Sequence, residues 1–133
     1  MEAINRLLLN VLSDNLENSK AYYTTLFDFQ VDYDSDWFVH LISPGRQLEL
    51  GILSADSDML PTGVKPQSGG FFTTFVVEDA GAVFRMARER GFTVLKEPED
   101  TFYGQRRLVL ESPEGGIIDV SSPIPDFTPG EGL

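Results

Sequence analysis

Two carboxylates stand alone in apolar strand-like runs of this 133-residue chain, Glu49 in QLELGIL and Asp119 in GGIIDVSS. Side chains of an extended segment alternate faces, so Glu49 points away from Leu48 and Leu50, and Asp119 away from Ile118 and Val120. A carboxylate on a partly apolar surface is costly unless paired or coordinating. Each is therefore either a ligand contact or half of a salt bridge, for Glu49 with Arg106 or Arg107. His40, the one histidine, lies in WFVHLISP on the parity of Phe38 and Ile42, opposite the more uniform apolar set Trp37, Val39 and Leu41. It is either a hydrogen-bonded strand histidine or a general base, and the second role needs an orienting partner. Asn10 is an amide among leucines, able to donate and accept toward a polar ligand group or to be satisfied by its neighbours. Phe38, Phe72, Phe102 and Tyr103 are candidates for the apolar wall of a pocket, and Thr74, on the parity of Phe72, can add a hydroxyl. Alternation sends Arg106 and Arg107 to opposite faces; Arg107 lies opposite Leu108 and Leu110, where it can meet an anionic group.

Composition narrows the chemistry. There is no cysteine, which removes disulfides, thiolate ligands and a thiol nucleophile together and fits a reducing compartment. A net charge of −11, from 21 acidic and 10 basic residues, repels phosphate backbones and argues against nucleic-acid binding. No GxSxG, HExxH or Gly-rich phosphate loop occurs, so serine-hydrolase, zincin and nucleotide-binding readings lack support. The start, MEAINRLLLNVLSDN, reads as neither a secretory signal nor a membrane span, which makes the cytoplasm the expected location.

The elements that must position these residues occur twice. An apolar run, an Asn or Asp at a helix start, an amphipathic helix and a closing aromatic fill residues 7–29 and recur in 71–92, with Asn15 leading to Phe29 as Asp79 leads to Phe92. RLLLNVLS predicts a first strand buried on both faces, and a helix follows over 16–27. FQVDYDSD, WFVHLISP and RQLELGIL then predict an antiparallel meander. In the second copy FFTTFVVE predicts a strand, Asp79 caps a helix that Gly91 ends, and FTVLKEP, GQRRLVLES and GIIDVSS supply three more strands. The order is βαβββ, linker, βαβββ: module 1 over about 5–53, a Pro- and Gly-containing linker over about 54–70, module 2 over about 71–122 and a tail over 123–133. Duplication of so small a unit predicts that the copies pack together as one domain.

This order, with NLENSKAYYTTLFDF after the first strand and YGQRRLVLESPEGGIIDV closing the second copy, resembles the vicinal oxygen chelate superfamily, which includes glyoxalase I and bleomycin-resistance proteins. The matching pieces are Ser19, Tyr22 and Tyr23 in the helix, Gly104 and Arg106 in a GxR element, and Pro113, Gly115 and Asp119 in the closing strand. The resemblance implies an α+β fold whose two βαβββ modules form incompletely closed sheets around a concave cleft. On that cleft Asn10, His40, Glu49, Phe72 and Asp119 are expected to converge. Metal-dependent members take one ligand from the first and one from the last strand of each module. Here the last-strand positions are Glu49 and Asp119, but the first-strand positions fall on Leu8 and Phe72. A slip of one residue offers only Leu7, Leu9, Phe71 or Thr73, so no metal and no other cofactor is expected, unless Asn10 or His40 recruits a weakly bound ion.

The resemblance then implies a metal-free small-molecule-binding protein, and the acidic charge favours a cationic ligand. A homodimer is expected, because family members often build clefts across a two-fold interface and sheet edges need covering. The rival is a lyase, isomerase or dioxygenase in which Glu49, Asp119 and His40 hold a weak metal or act as acid and base. A third reading is an interaction module without a true pocket.

Overall fold

The computed structural model describes residues 1–45, 47–66 and 69–125. The chain divides into two compact units, Met1–Gln67 and Ser68–Leu133. Each holds a four-stranded mixed sheet with one helix, and neither sheet closes into a barrel.

In the first unit the elements run β1 (Leu9–Ser13), α1 (Leu16–Phe27), β2 (Gln30–Asp34), β3 (Phe38–Ser43) and β4 (Leu48–Ser54), in the sheet order β1-β4-β3-β2. β1 runs parallel to β4, while β2, β3 and β4 form the expected antiparallel meander. Asn15 caps α1 by accepting from the Asn18 amide at 3.0 Å, and Glu17 stands in the positively polarised first turn. The helix ends where Asp28 turns left-handed at φ 56°. Its buried face, Tyr22, Tyr23 and Leu26, packs on the sheet face made by Val39, Leu41, Leu50 and Ile52, all essentially solvent-free. Ser13 and Ser19 hydroxyls meet at 2.7 Å and tie β1 to α1 inside this core.

The expectation of a first strand buried on both faces is corrected. β1 begins only at Leu9, Leu7 is exposed, and Leu9 and Val11 are half-buried. As an edge strand with a helix on one side only, β1 has a single covered face.

The second unit repeats the plan with β5 (Thr73–Val76), α2 (Ala80–Arg90), β6 (Val94–Asp100), β7 (Gln105–Glu111) and β8 (Ile117–Pro123), in the sheet order β5-β8-β7-β6. Asp79 caps α2 by accepting from the Ala82 amide at 3.2 Å, and the Ser122 hydroxyl takes the Ala80 amide. Gly91 terminates the helix at φ 75°, a conformation that favours glycine. Ala80, Val83 and Ala87 bury against Leu108, Leu110, Ile118 and Val120. Pro98, which cannot donate to a ladder, sits in edge strand β6 where the pairing with β7 shifts register.

Two expectations change here. β5 starts at Thr73, so Phe72 precedes the strand and is 58% exposed. Pro123, placed in the tail, closes β8, and residues 126–133 of that tail lie outside the described residues. Among the described residues no helix is long and apolar enough to cross a membrane.

Candidate functional site

In each unit the helix covers one sheet face, and alternation places the polar candidates on the other. Across the first sheet Asn10, Gly51, His40 and Tyr33 stand in one register row. Phe38 and Glu49, each two residues from a member of that row, share its face. An added Cβ on Gly51 would lie 2.1 Å from the Asn10 side-chain oxygen Oδ1 and 3.1 Å from the Phe38 ring, so a residue without a side chain lets both lie across β4. The Phe38 and His40 rings stack at 12° with centroids 6.3 Å apart.

The polar groups of this face form a chain. Arg6 donates through a guanidinium fork to both Glu49 oxygens, with Nε to Oε2 at 2.6 Å. Glu49 Oε1 also meets His40 Nε2 at 2.8 Å, and His40 Nδ1 meets Asp32 Oδ2 at 2.9 Å. A doubly protonated imidazole satisfies both carboxylates, whereas either neutral tautomer donates to one. The Arg6 guanidinium, seconded by His40, holds the Glu49 carboxyl down to about 2 from an ordinary value of 4.5, although loss of solvent acts in the opposite sense.

Because the folded-state value is lowered, the stability contributed by Glu49, kept modest by water screening the 61% exposed Arg6, is complete above pH 4.5 and disappears as pH falls toward 2. The difference in melting temperature between the wild type and Glu49→Gln should accordingly be widest near neutrality and close over that acid window. A constant difference from pH 7 to pH 2 would show that the carboxylate is not held by charge.

On the second sheet Thr74 is the register partner of Asp119, and Arg107 stands opposite Ser121 on the same face. Thr74 Oγ1 donates to Asp119 Oδ2 at 3.0 Å and Arg107 Nε to Oδ1 at 2.5 Å. Asp119 is 8% exposed and Tyr103 neighbours the guanidinium, whose pKa Asp119 raises most. Arg106, on the other parity, pairs with Asp100 instead.

The sequence candidates therefore fall into two clusters, one per sheet: Asn10, Phe38, His40 and Glu49 on the first, and Thr74, Tyr103, Arg107 and Asp119 on the second. Phe72 lies outside the strand of the second cluster. The expected partnership of Glu49 with Arg106 or Arg107 is replaced by one with Arg6, a residue of its own unit. Arg6 and Asp32 escaped the sequence reading. Arg6 precedes β1, in residues without a periodic signal, and Asp32 occupies the bulge between Val31 and Tyr33, where alternation breaks down.

A divalent ion needs several free donors converging on one point. Both Glu49 oxygens are taken by Arg6, one of them also by His40, and those of Asp119 by Arg107 and Thr74. Leu8 and Phe72 supply no donor, and among the described residues no group of three or more His, Asp or Glu is arranged to hold a metal. The four-ligand metal of the superfamily does not fit this chain.

No curated protein matches the sequence. Several solved structures share the fold. A glyoxalase/bleomycin resistance protein/dioxygenase from Nocardioides is 20% identical, with a TM-score of 0.69 over 98% of this chain and 91% of its own. A glyoxalase-related enzyme from Fulvimarina pelagi is 13% identical, with a TM-score of 0.75 over 90% and 88%. TnmS3, an antibiotic binding protein from a Streptomyces species, is 21% identical, with a TM-score of 0.70 over 92% and 98%. The profile of one family runs through both units, matching residues 3–120. Paired βαβββ units, cap residues at both helix starts and that match together mean that the chain belongs to the Glyoxalase/Bleomycin resistance protein/Dioxygenase superfamily.

Proposed function

We propose that the chain is a cytoplasmic, homodimeric protein that binds a small molecule without a metal, using the sheet face of the first unit that carries His40 and Glu49. The observation that carries this reading is that both last-strand carboxylates are engaged by arginines of their own units, Arg6 and Arg107. A metal at either carboxylate would have to displace its arginine. Phe38 and the half-buried Leu12 and Leu53 flank the polar chain of the first sheet, giving a mixed apolar and charged surface suited to an organic ligand rather than an ion. The fold neighbour TnmS3, an antibiotic binding protein, is consistent with binding as a role for this architecture.

A thermal-shift screen of chelator-treated protein against organic cations, neutral aromatics and anions tests the reading. Cationic aromatics should raise the melting temperature without added metal, and light scattering of the same samples should give about twice 14.8 kDa. Stabilisation that appears only after a divalent ion is supplied would refute it. The second reading, a general acid–base enzyme, draws on Asp32, which gives His40 the orienting carboxylate such a base needs. It requires His40 Nε2 to leave Glu49 when substrate binds.

A further inference from the structure

The sequence before β1 reaches into the candidate site. Residues 1–8 form no strand or helix, and Ile4 and Leu7 stand in solvent at 84% and 80% exposure, so of the segment's apolar side chains only Leu8, next to β1, is partly buried. The Arg6 fork ties it to the sheet. That side chain is 61% exposed, whereas the carboxylate it grips is 13% exposed. An exposed ion pair of this kind contributes little net stability, because the arginine loses mobility and water competes for both partners. Glu49, in contrast, is already fixed: His40 holds Oε1 from one side, and Asp32 fixes His40. What Arg6 meets is a preorganised carboxylate presenting both oxygens edge-on to a planar cation. Glu49 opens onto a hollow of ≈ 430 Å³, within the size range of small-ligand pockets, whose walls are Asn5, Arg6 and Leu7 of this segment on one side and Ile42, Ser43, Pro44 and Leu48 of the sheet on the other.

We infer that Arg6 is a tethered stand-in for the ligand, and that the Glu49 site takes planar monocations of the guanidinium or amidinium class carrying an apolar group for the adjoining hollow. The inference rests on the binding reading above and names its ligand class. Such a ligand must displace Arg6, which competes at the high effective concentration that a short tether imposes. Affinity is thereby set by the N-terminal segment, and release of Arg6 opens the site without rearranging the sheet. Lysine at this position would compete less well, since an ammonium cannot fill both oxygens with one planar fork.

Benzamidine, an aryl amidinium, is the probe, and benzamide is its neutral near-isostere. Calorimetric titration of the full chain at low salt should give an affinity at least about threefold tighter in Arg6→Ala than in wild type, with Arg6→Lys between them. Benzamide should gain nothing. Lys65→Ala removes one positive charge elsewhere in the unit and controls for net charge; it should leave benzamidine affinity unchanged. In Arg6→Ala/Glu49→Gln the gain should vanish. Equal affinity in wild type and Arg6→Ala, a gain that survives Glu49→Gln, or an equal gain in Lys65→Ala would each overturn the tethered competitor. If that happens while ligands from the thermal screen still stabilise the metal-free wild type, the binding reading stands and only its ligand class and gate fall.

Discussion

Leu41→Ala is expected to lower the unfolding free energy by about 2–5 kcal/mol, a large share of the roughly 5–15 kcal/mol that a domain of this size commands. Leu41 is 0% exposed, stands opposite Leu50 in the β3–β4 ladder, and lies on the face that α1 covers with Tyr22, Tyr23 and Leu26. Truncation removes its buried methyl groups and leaves a cavity that a sheet pinned on both sides of β3 cannot collapse into. Leu12→Ala, on the opposite face and half-buried, is the comparison, with an expected loss of about 1 kcal/mol. Urea unfolding reads both. A Leu41→Ala loss no greater than that of Leu12→Ala would show that the helix-covered face is not the core of this unit.

Arg107→Ala should destabilise by about 1–3 kcal/mol for a different reason. Asp119 is 8% exposed on β8, and Arg107 donates to one of its oxygens while Thr74 serves the other. Removing the arginine leaves a mostly buried carboxylate with one neutral donor. The estimate stays below the 3–5 kcal/mol of a fully buried pair because the Arg107 side chain is 42% exposed and water can reach the space it vacates. Asp119→Asn in the Arg107→Ala background should recover part of the loss, since the amide carries no charge to strand. The two changes are thus coupled, and a double-mutant cycle measures the coupling directly. Strict additivity would mean that the pair contributes nothing as a pair.

Much of this architecture was legible because local chemistry and global pattern agree. Asn15 and Asp79 announce their helices by capping them, and Gly91 ends α2 in the one conformation where glycine has the advantage. The faces of β3 followed from alternation alone: Val39 and Leu41 turn inward, and Phe38, His40 and Ile42 outward. Sequence failed where regularity does. Asp32 sits in a bulge, and Phe72 lies just outside a strand whose apolar run suggested an earlier start. Partner choice was also beyond it. Parity placed Glu49 on the correct face, but which cation meets it depends on the path of residues 1–8, which carry no periodic signal.

On the proposed function, the last-strand carboxylates serve arginines rather than a metal. Elemental analysis of protein purified without chelator, then incubated with zinc, nickel, iron(II) or manganese and desalted, tests it most directly. The expected result is well below about 0.1 equivalent of any divalent ion per chain, unchanged in Glu49→Ala. About one equivalent retained by the wild type and lost in Glu49→Ala would contradict the account and identify the chain as a metal-binding member of its superfamily.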